Sequence, residues 1–178
     1  MMRTTIRKTT FWTGRASRGR RGGFTLIEAA LTTCIVGIGT VAMLSLLAAG
    51  TCANQQAGQL TTAVNLANNL HELADRVAFP AVGSSTWGIP SGQHISTLLT
   101  TGDLSWLNGQ TFSPPVDATN TAISGMNGWS QVCSVNSVNS GNITSTITNG
   151  AANPMARVQV IVEFDNNPVF TTSWVVAR

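Results

Sequence analysis

Glu28 is a single acidic side chain at the start of a long uncharged stretch. Residues 29–70 contain no Asp, Glu, Lys or Arg, and the nearest charge on the other side is Arg21. A carboxylate in this position could pair with an ammonium group supplied by a partner. It could instead belong to a helix N-terminus, where the helix dipole favours an acid. The position of Glu28 predicts one of these two roles.

The uncharged stretch has the length of a membrane-spanning helix. Residues 29–53 would form a helix of about 37 Å, against a hydrocarbon core of about 30 Å. Positive flanks of such spans stay in the cytoplasm, and a nucleic-acid role for the basic segment is disfavoured because its charges end at the apolar span. Seven of the ten basic residues lie before this stretch: Arg3, Arg7, Lys8, Arg15, Arg18, Arg20 and Arg21.

A cleaved secretory signal is an alternative interpretation of the same segment. Ala48-Ala49-Gly50 loosely resembles a small-x-small cleavage site, and a secreted product would then begin near Gly50. An acidic residue between the basic flank and the apolar core does not fit that pattern. Glu28 therefore favours a retained span.

The run Gly23-Phe24-Thr25-Leu26-Ile27-Glu28, after a basic leader and before an apolar helix, resembles the N-terminal signal of type IV pilins and type II secretion pseudopilins. The resemblance is specific over residues 20–53 and general beyond them. It implies that a prepilin peptidase cleaves between Gly23 and Phe24 and methylates the new amine of Phe24. It also implies that Glu28 pairs with the N-terminal amine of a neighbouring subunit during assembly.

One feature of that family is missing here. Pilins often carry a proline in the membrane half of the helix, and residues 24–79 contain none. A kink would have to use Gly37 and Gly39 instead. This difference, with the Asn-rich outer helix and a terminal hairpin, makes the chain similar to the minor pilins and minor pseudopilins.

Removal of residues 1–23 would leave 155 of the 178 residues and three arginines against seven acids, a formal charge of −4. Residues 24–53 are expected to be the transmembrane and assembly half of one long helix. Residues 54–79 are expected to be its amphipathic outer half, because Leu66, Leu70 and Leu73 recur at helical spacing. Pro80 is expected to end the helix.

Residues 80–178 are predicted to form a small globular domain. Residues 80–127 are rich in Gly, Ser, Thr, Pro and Asn but also contain scattered apolar residues, so we expect an ordered loop region with a short helix near 96–99 or 104–107. From residue 128 the apolar period is two, which predicts a meander of three or four antiparallel strands. The predicted fold class is α+β, with the long helix packed on a small antiparallel sheet, as in pilins.

The remaining reactive side chains give little sign of catalysis. A disulfide between Cys52 and Cys133 is left open, since both would lie in an oxidising compartment. No metal or cofactor site is predicted from the cysteines and histidines, although Asp165, Asn166 and Asn167 would suit either a calcium ion or a turn. Few titratable groups follow Ala53, so the chain is predicted not to be an enzyme.

These expectations describe a structural subunit, a minor pilin or pseudopilin of a type IV pilus or a type II secretion filament. It would first span the inner membrane once, with a cytoplasmic N-terminus and a periplasmic domain. Its expected partners are other pilin subunits, the prepilin peptidase, the assembly platform and the membrane, with no nucleic acid. The alternative is a permanently membrane-anchored periplasmic domain that binds a ligand through its tryptophans and loops.

Overall fold

The computed structural model describes residues 23–80, 87–148 and 155–177. The predicted leader, residues 1–22, lies outside this range. The elements along the chain are a long helix α1, a 3-10 turn, a short helix α2, a second 3-10 turn and five strands. Their bounds are α1 Leu26–Arg76, 3-10 turns Ile95–Thr97 and Leu104–Leu107, α2 Leu98–Thr101, β1 Gln110–Phe112, β2 Trp129–Asn139, β3 Asn142–Thr146, β4 Met155–Phe164 and β5 Asn167–Ala177.

Helix α1 is continuous for 51 residues and confirms the single long N-terminal helix. It ends at Arg76, three residues before the expected boundary at Phe79. The reason is a tertiary contact: Ala78 forms an isolated parallel bridge with Asp103, and its carbonyl accepts a hydrogen bond of 2.9 Å from the Leu104 N–H. The chain therefore leaves the helix before Pro80 is reached.

The chain divides into two compact units, residues 1–48 and 49–178. In the first unit, the described part of α1 is exposed along its whole length. In the second unit, one face of α1 contributes a row of side chains to the core, at the spacing that the sequence predicted. The buried helix residues are Ala63, Leu66, Ala67, Leu70, Leu73 and Ala74.

The sheet is antiparallel and has the order β1-β2-β4-β5. β2 pairs with β4 from Trp129↔Phe164 to Ser137↔Ala156, while β3 pairs with the end of β2, at Val138 and Asn139. The small antiparallel sheet is confirmed, but the expected meander of three or four strands is not accurate. A fifth strand, β1, lies in the region expected to be loops. Because β3 pairs only with the end of β2, the remaining length of β2 is free to pair with β4.

The core lies between the outer half of α1 and the sheet. Alternate residues of β2 and β4 face it, as the period of two predicted, and Val135, Val158, Val160 and Val162 are fully buried. Trp106 and Trp129 also belong to this core. Both segments expected to hold a short helix are helical, because Leu98, Leu104 and Leu107 insert into the same core.

The turn between β4 and β5 has the conformation that its sequence suggests. Asp165 and Asn166 have φ angles of 49° and 61°, a backbone region that Asn and Asp tolerate better than most residues. Two consecutive residues of this kind match the right-handed twist of the flanking strands. The structure therefore uses these residues to make the hairpin.

Candidate functional site at the N-terminus of helix α1

Thr25 caps helix α1, and Glu28 lies in the first turn. The Glu28 N–H is 3.3 Å from Thr25 Oγ1, and the Ala29 N–H donates to the Thr25 carbonyl at 3.1 Å. Thr-x-x-Glu is the sequence of a capping box, in which the first side chain accepts a bond from the helix N-terminus. The local sequence therefore fixes where the helix begins, two residues after Phe24.

The predicted cleavage position lies on accessible backbone. Gly23 and Phe24 precede the helix, the Phe24 side chain is 75% exposed, and Leu26 is 90% exposed. A Cβ added at Gly23 would meet nothing within 4 Å. The Gly23–Phe24 peptide bond is thus outside regular structure and open to approach in the part of the chain that the structure describes.

The described residues after Glu28 form an apolar, exposed helical surface. An 18-residue window of α1 has a mean hydropathy of 2.0, and none of that window is buried, so this helix is long and apolar enough to cross a membrane. In water, so large an apolar surface would be unfavourable. Burial in a bilayer, or against other apolar helices, would remove this surface from water.

The threonine hydroxyls inside this surface already have hydrogen-bond partners within the helix. Thr32 Oγ1 donates to the Glu28 carbonyl at 2.7 Å, Thr33 Oγ1 to the Ala29 carbonyl at 2.8 Å, and Thr40 Oγ1 to the Gly37 carbonyl at 2.9 Å. Such internal bonds let a hydroxyl enter an apolar medium without a separate partner. These threonines therefore need nothing from outside the helix.

The Glu28 carboxylate differs from these hydroxyls. Within residues 23–80, 87–148 and 155–177, the one close contact between an acid and a basic side chain joins Asp75 to His71, and Glu28 has no cationic partner. A carboxylate at the centre of a membrane helix costs about 2.5 to 3.5 kcal/mol on insertion scales. Two opposite unit charges about 4 Å apart attract by about 4 kcal/mol at an effective dielectric near 20. An ammonium placed at Glu28 would offset most of that cost.

Gly37 and Gly39 lie further along the same surface. A Cβ added at either position would meet nothing within 4 Å, and α1 remains helical through both of them. The absence of side chains would allow another helix to approach the backbone closely. The expectation of a kink at these glycines stays a prediction about the assembled state.

The cysteines do not form the disulfide that the sequence left open. Cys34, Cys52 and Cys133 are free; Cys52 is exposed on α1, and Cys133 is buried in β2. Cys133 faces the core, where it is 1% exposed, and burial raises the pKa of its thiol to about 12. A protonated, enclosed thiol is a poor nucleophile, so Cys133 is a packing residue in this structure.

Two other acidic side chains accept local hydrogen bonds. Asp103 caps the second 3-10 turn through the Ser105 N–H at 2.9 Å, and the Ser130 hydroxyl donates to Glu163 at 3.3 Å. In the described ranges, no group of three or more His, Cys, Asp or Glu side chains is arranged to hold a metal ion. The residues proposed for calcium, around Asp165, make the β4–β5 turn.

Two further features were missed by sequence reasoning. The His71 ring packs against Trp174 in a tilted arrangement, with 4.4 Å between ring centroids. Its Nδ1 lies 3.4 Å from Asp75, and the i, i+4 spacing of these two residues was a signal for that contact. Gln131 is a fully buried polar side chain. It joins α1 to the loop before β2 through hydrogen bonds whose partners no local pattern reveals.

The chain was also compared with known proteins. No family model, curated protein or solved structure matches it.

Proposed function

We propose that this chain is a minor pilin or pseudopilin, a structural subunit of a type IV pilus or a type II secretion filament. In this proposal, prepilin peptidase cuts after Gly23 and methylates Phe24 while the chain waits in the inner membrane with its domain in the periplasm. The apolar half of α1 then packs among the same helices of other subunits, on the assembly platform. The domain formed by the sheet faces outward.

The observation that supports this proposal best is the contrast within the first turns of α1. The threonine hydroxyls of the apolar surface are bonded inside the helix, whereas Glu28 has no ion-pair partner among the described residues. A new N-terminus at Phe24 would create an ammonium group four residues from Glu28. In a parallel bundle, that ammonium on one subunit could reach the carboxylate of the next.

The pairing would make Glu28 a sensor of register. When two helices are displaced so that ammonium and carboxylate meet, the burial cost of the charge is offset. When they are displaced otherwise, the carboxylate stays unpaired in an apolar medium, which is strongly unfavourable. Only one axial displacement between neighbouring subunits would then be stable, as a regular helical filament requires.

Glu28→Val tests this role. We expect the variant to be cleaved and inserted like the parent, because its helix is more apolar, but to enter filaments at least about tenfold less, since about 1.4 kcal/mol already corresponds to tenfold in an equilibrium. Immunoblots of sheared filaments and membrane fractions would measure both quantities.

Thr33→Val is the matched control, because it removes a polar group that is already bonded within the helix. Its filament fraction should equal that of the parent. Equal assembly of Glu28→Val and the parent chain would show that Glu28 does not set the register.

A further inference from the structure

Beyond Pro168, β5 is an edge strand without the usual protection. It pairs with β4 along its length, from Phe164↔Asn167 to Met155↔Ala177, and it ends the strand order β1-β2-β4-β5. Within the described ranges no strand pairs with its other side. Native proteins usually guard such an edge with charges, prolines or a short strand. β1, at the opposite edge, has three residues, whereas residues 169–177 of β5 contain no charge and no proline.

The core is not closed at this edge. On β4 the core-facing residues Val158 and Val162 are fully buried. Their paired neighbours on β5, Trp174 and Phe170, are only partly buried although they pack against the same core. From β4 to β5, the side chains that face the core therefore change from fully buried to partly buried. Another strand beside β5 would cover these side chains.

A groove lies on the outer face of the sheet next to this edge. It has a volume of about 330 Å³ and is lined by Ile143 and Thr144 of β3, Arg157 of β4, and Ser173, Trp174 and Val175 of β5. Neighbouring residues of a strand point to opposite faces. The Trp174 ring packs against His71 of α1, so the side chains that β5 gives to the groove are those of Ser173 and Val175.

Arg157 is the charged group of the groove. Its guanidinium donates to the Ile143 carbonyl, and no carboxylate pairs with it among residues 23–80, 87–148 and 155–177. A guanidinium has five N–H donors in a planar fork that matches a carboxylate. The groove therefore offers donors to an anion, between the apolar side chains of Ile143 and Val175.

We propose that β5 accepts an extended strand from a partner polypeptide and that this groove takes an acidic side chain of that strand, paired with Arg157. Main-chain hydrogen bonds along an exposed edge supply affinity, and a neighbouring pocket supplies selectivity, in recognition by strand addition. Adjacent strands lie about 4.8 Å apart. An added strand would thus run about 10 Å from β4, a distance that an arginine and a glutamate side chain together can span.

Charge favours such a partner over a second copy of β5. A β5–β5 pair would place no acidic residue beside either groove, because residues 167–177 contain none, and both Arg157 side chains would stay without a carboxylate. A partner strand with an acidic residue would pair with the exposed backbone groups of β5 and also place a carboxylate beside Arg157. This inference does not depend on the filament role proposed above.

The test uses the full chain in detergent micelles and a capped synthetic peptide, Ser-Thr-Val-Thr-Glu-Thr-Val-Thr-Ser. Titration calorimetry should detect binding, and amide hydrogen exchange should slow in β5. Replacing the peptide glutamate by glutamine, or Arg157 by glutamine, should weaken binding roughly fivefold, as expected for an exposed ion pair near 1 kcal/mol. Methylating alternate backbone nitrogens of the peptide should abolish binding.

Arg76→Gln is the matched control, since it removes the same charge from the last turn of α1, and it should bind the peptide like the parent. Arg157→Lys, which keeps the charge, should bind more tightly than Arg157→Gln. The proposal fails if the peptide does not bind, or if binding is indifferent to Arg157. It also fails if β5 amides are protected by self-association of the chain without peptide.

Discussion

At the scale of single residues, Glu28 differs from four other acidic side chains, which each contact a nearby polar group. Asp103, Asp117 and Glu163 each accept hydrogen bonds from nearby groups, and Asp75 pairs with His71. Glu28 has no such ion pair in the described chain. Its isolation was visible in the sequence because it depends only on neighbours along the chain. The Ser130–Glu163 contact was not visible in the sequence, because strand pairing brings these two residues together.

Asp117 shows how an acid can be fixed by local bonds. Its carboxylate accepts from the Thr119 hydroxyl at 2.7 Å, the Thr119 N–H at 2.8 Å and the Thr121 N–H at 2.9 Å. These bonds, the Thr119 hydroxyl first, hold the pKa of Asp117 below its usual value, and they outweigh the opposing effect of burial. The charged form is therefore the one that organises this loop.

The lowered pKa predicts a pH dependence of stability. A carboxylate whose pKa is lower in the folded state stabilises the fold above its unfolded pKa, and this contribution is lost as pH falls through the folded value. The parent should therefore lose more stability than Asp117→Asn between about pH 5 and about pH 2. Thermal unfolding followed by near-ultraviolet circular dichroism would measure the two profiles, and parallel profiles would contradict this role of Asp117.

At the scale of elements, the amphipathic half of α1 and the alternating strands were predictable from periodicity. The stripe at Leu66, Leu70 and Leu73 faces the core because helical spacing puts these side chains on one side. β1 was missed because a strand of three residues has almost no periodic signal. The end of α1 was misplaced because the Ala78–Asp103 bridge is a long-range contact.

Gln131 joins three elements of the second unit. Its Nε2 donates to the Leu66 carbonyl of α1 at 2.8 Å and to the Val116 carbonyl at 3.2 Å. Its Oε1 accepts from the Val116 N–H at 2.8 Å. A buried amide is stable only when such bonds are made. The period of two in this strand puts Gln131 on the same side as Cys133 and Val135, but no sequence pattern reveals these hydrogen-bond partners.

Gln131→Leu should therefore lower the free energy of unfolding by about 1 to 3 kcal/mol, because the buried Val116 N–H loses its partner. Urea titration of the full chain in detergent would measure this change. The same substitution at Gln159, on the half-exposed outer face of β4, is the control and should change stability by less than about 0.5 kcal/mol. Equal effects at the two positions would show that the bonds of Gln131 contribute nothing.

At the scale of the whole molecule, charge and polarity are strongly segregated along the sequence. Seven basic residues precede Gly23, an apolar helical segment follows, and all seven acids lie from Glu28 onward. This order predicts membrane orientation and processing, which depend on composition and short motifs. The edge of β5 and its groove could not be predicted, since they exist only after four strands are paired and β3 has turned back beside β2.

The three interpretations of the N-terminal segment predict three different N-termini for the mature protein. A filament subunit should begin at Phe24, a permanently anchored binding domain should keep its basic leader, and a secreted protein should begin near Gly50. The masses of these products differ widely. Gly23→Ala provides a control, because a Cβ at this position would hinder a peptidase that approaches the backbone closely, and uncleaved chain should accumulate.

Mass spectrometry of the N-terminal peptide of the native protein, isolated from membranes and from sheared filaments, is the decisive test of the proposed filament role. We expect a peptide that begins with N-methylated Phe24 in the parent and a retained leader in Gly23→Ala. Native protein that still begins at Met1 or Met2, and that is never recovered with a polymer, would rule out the filament role.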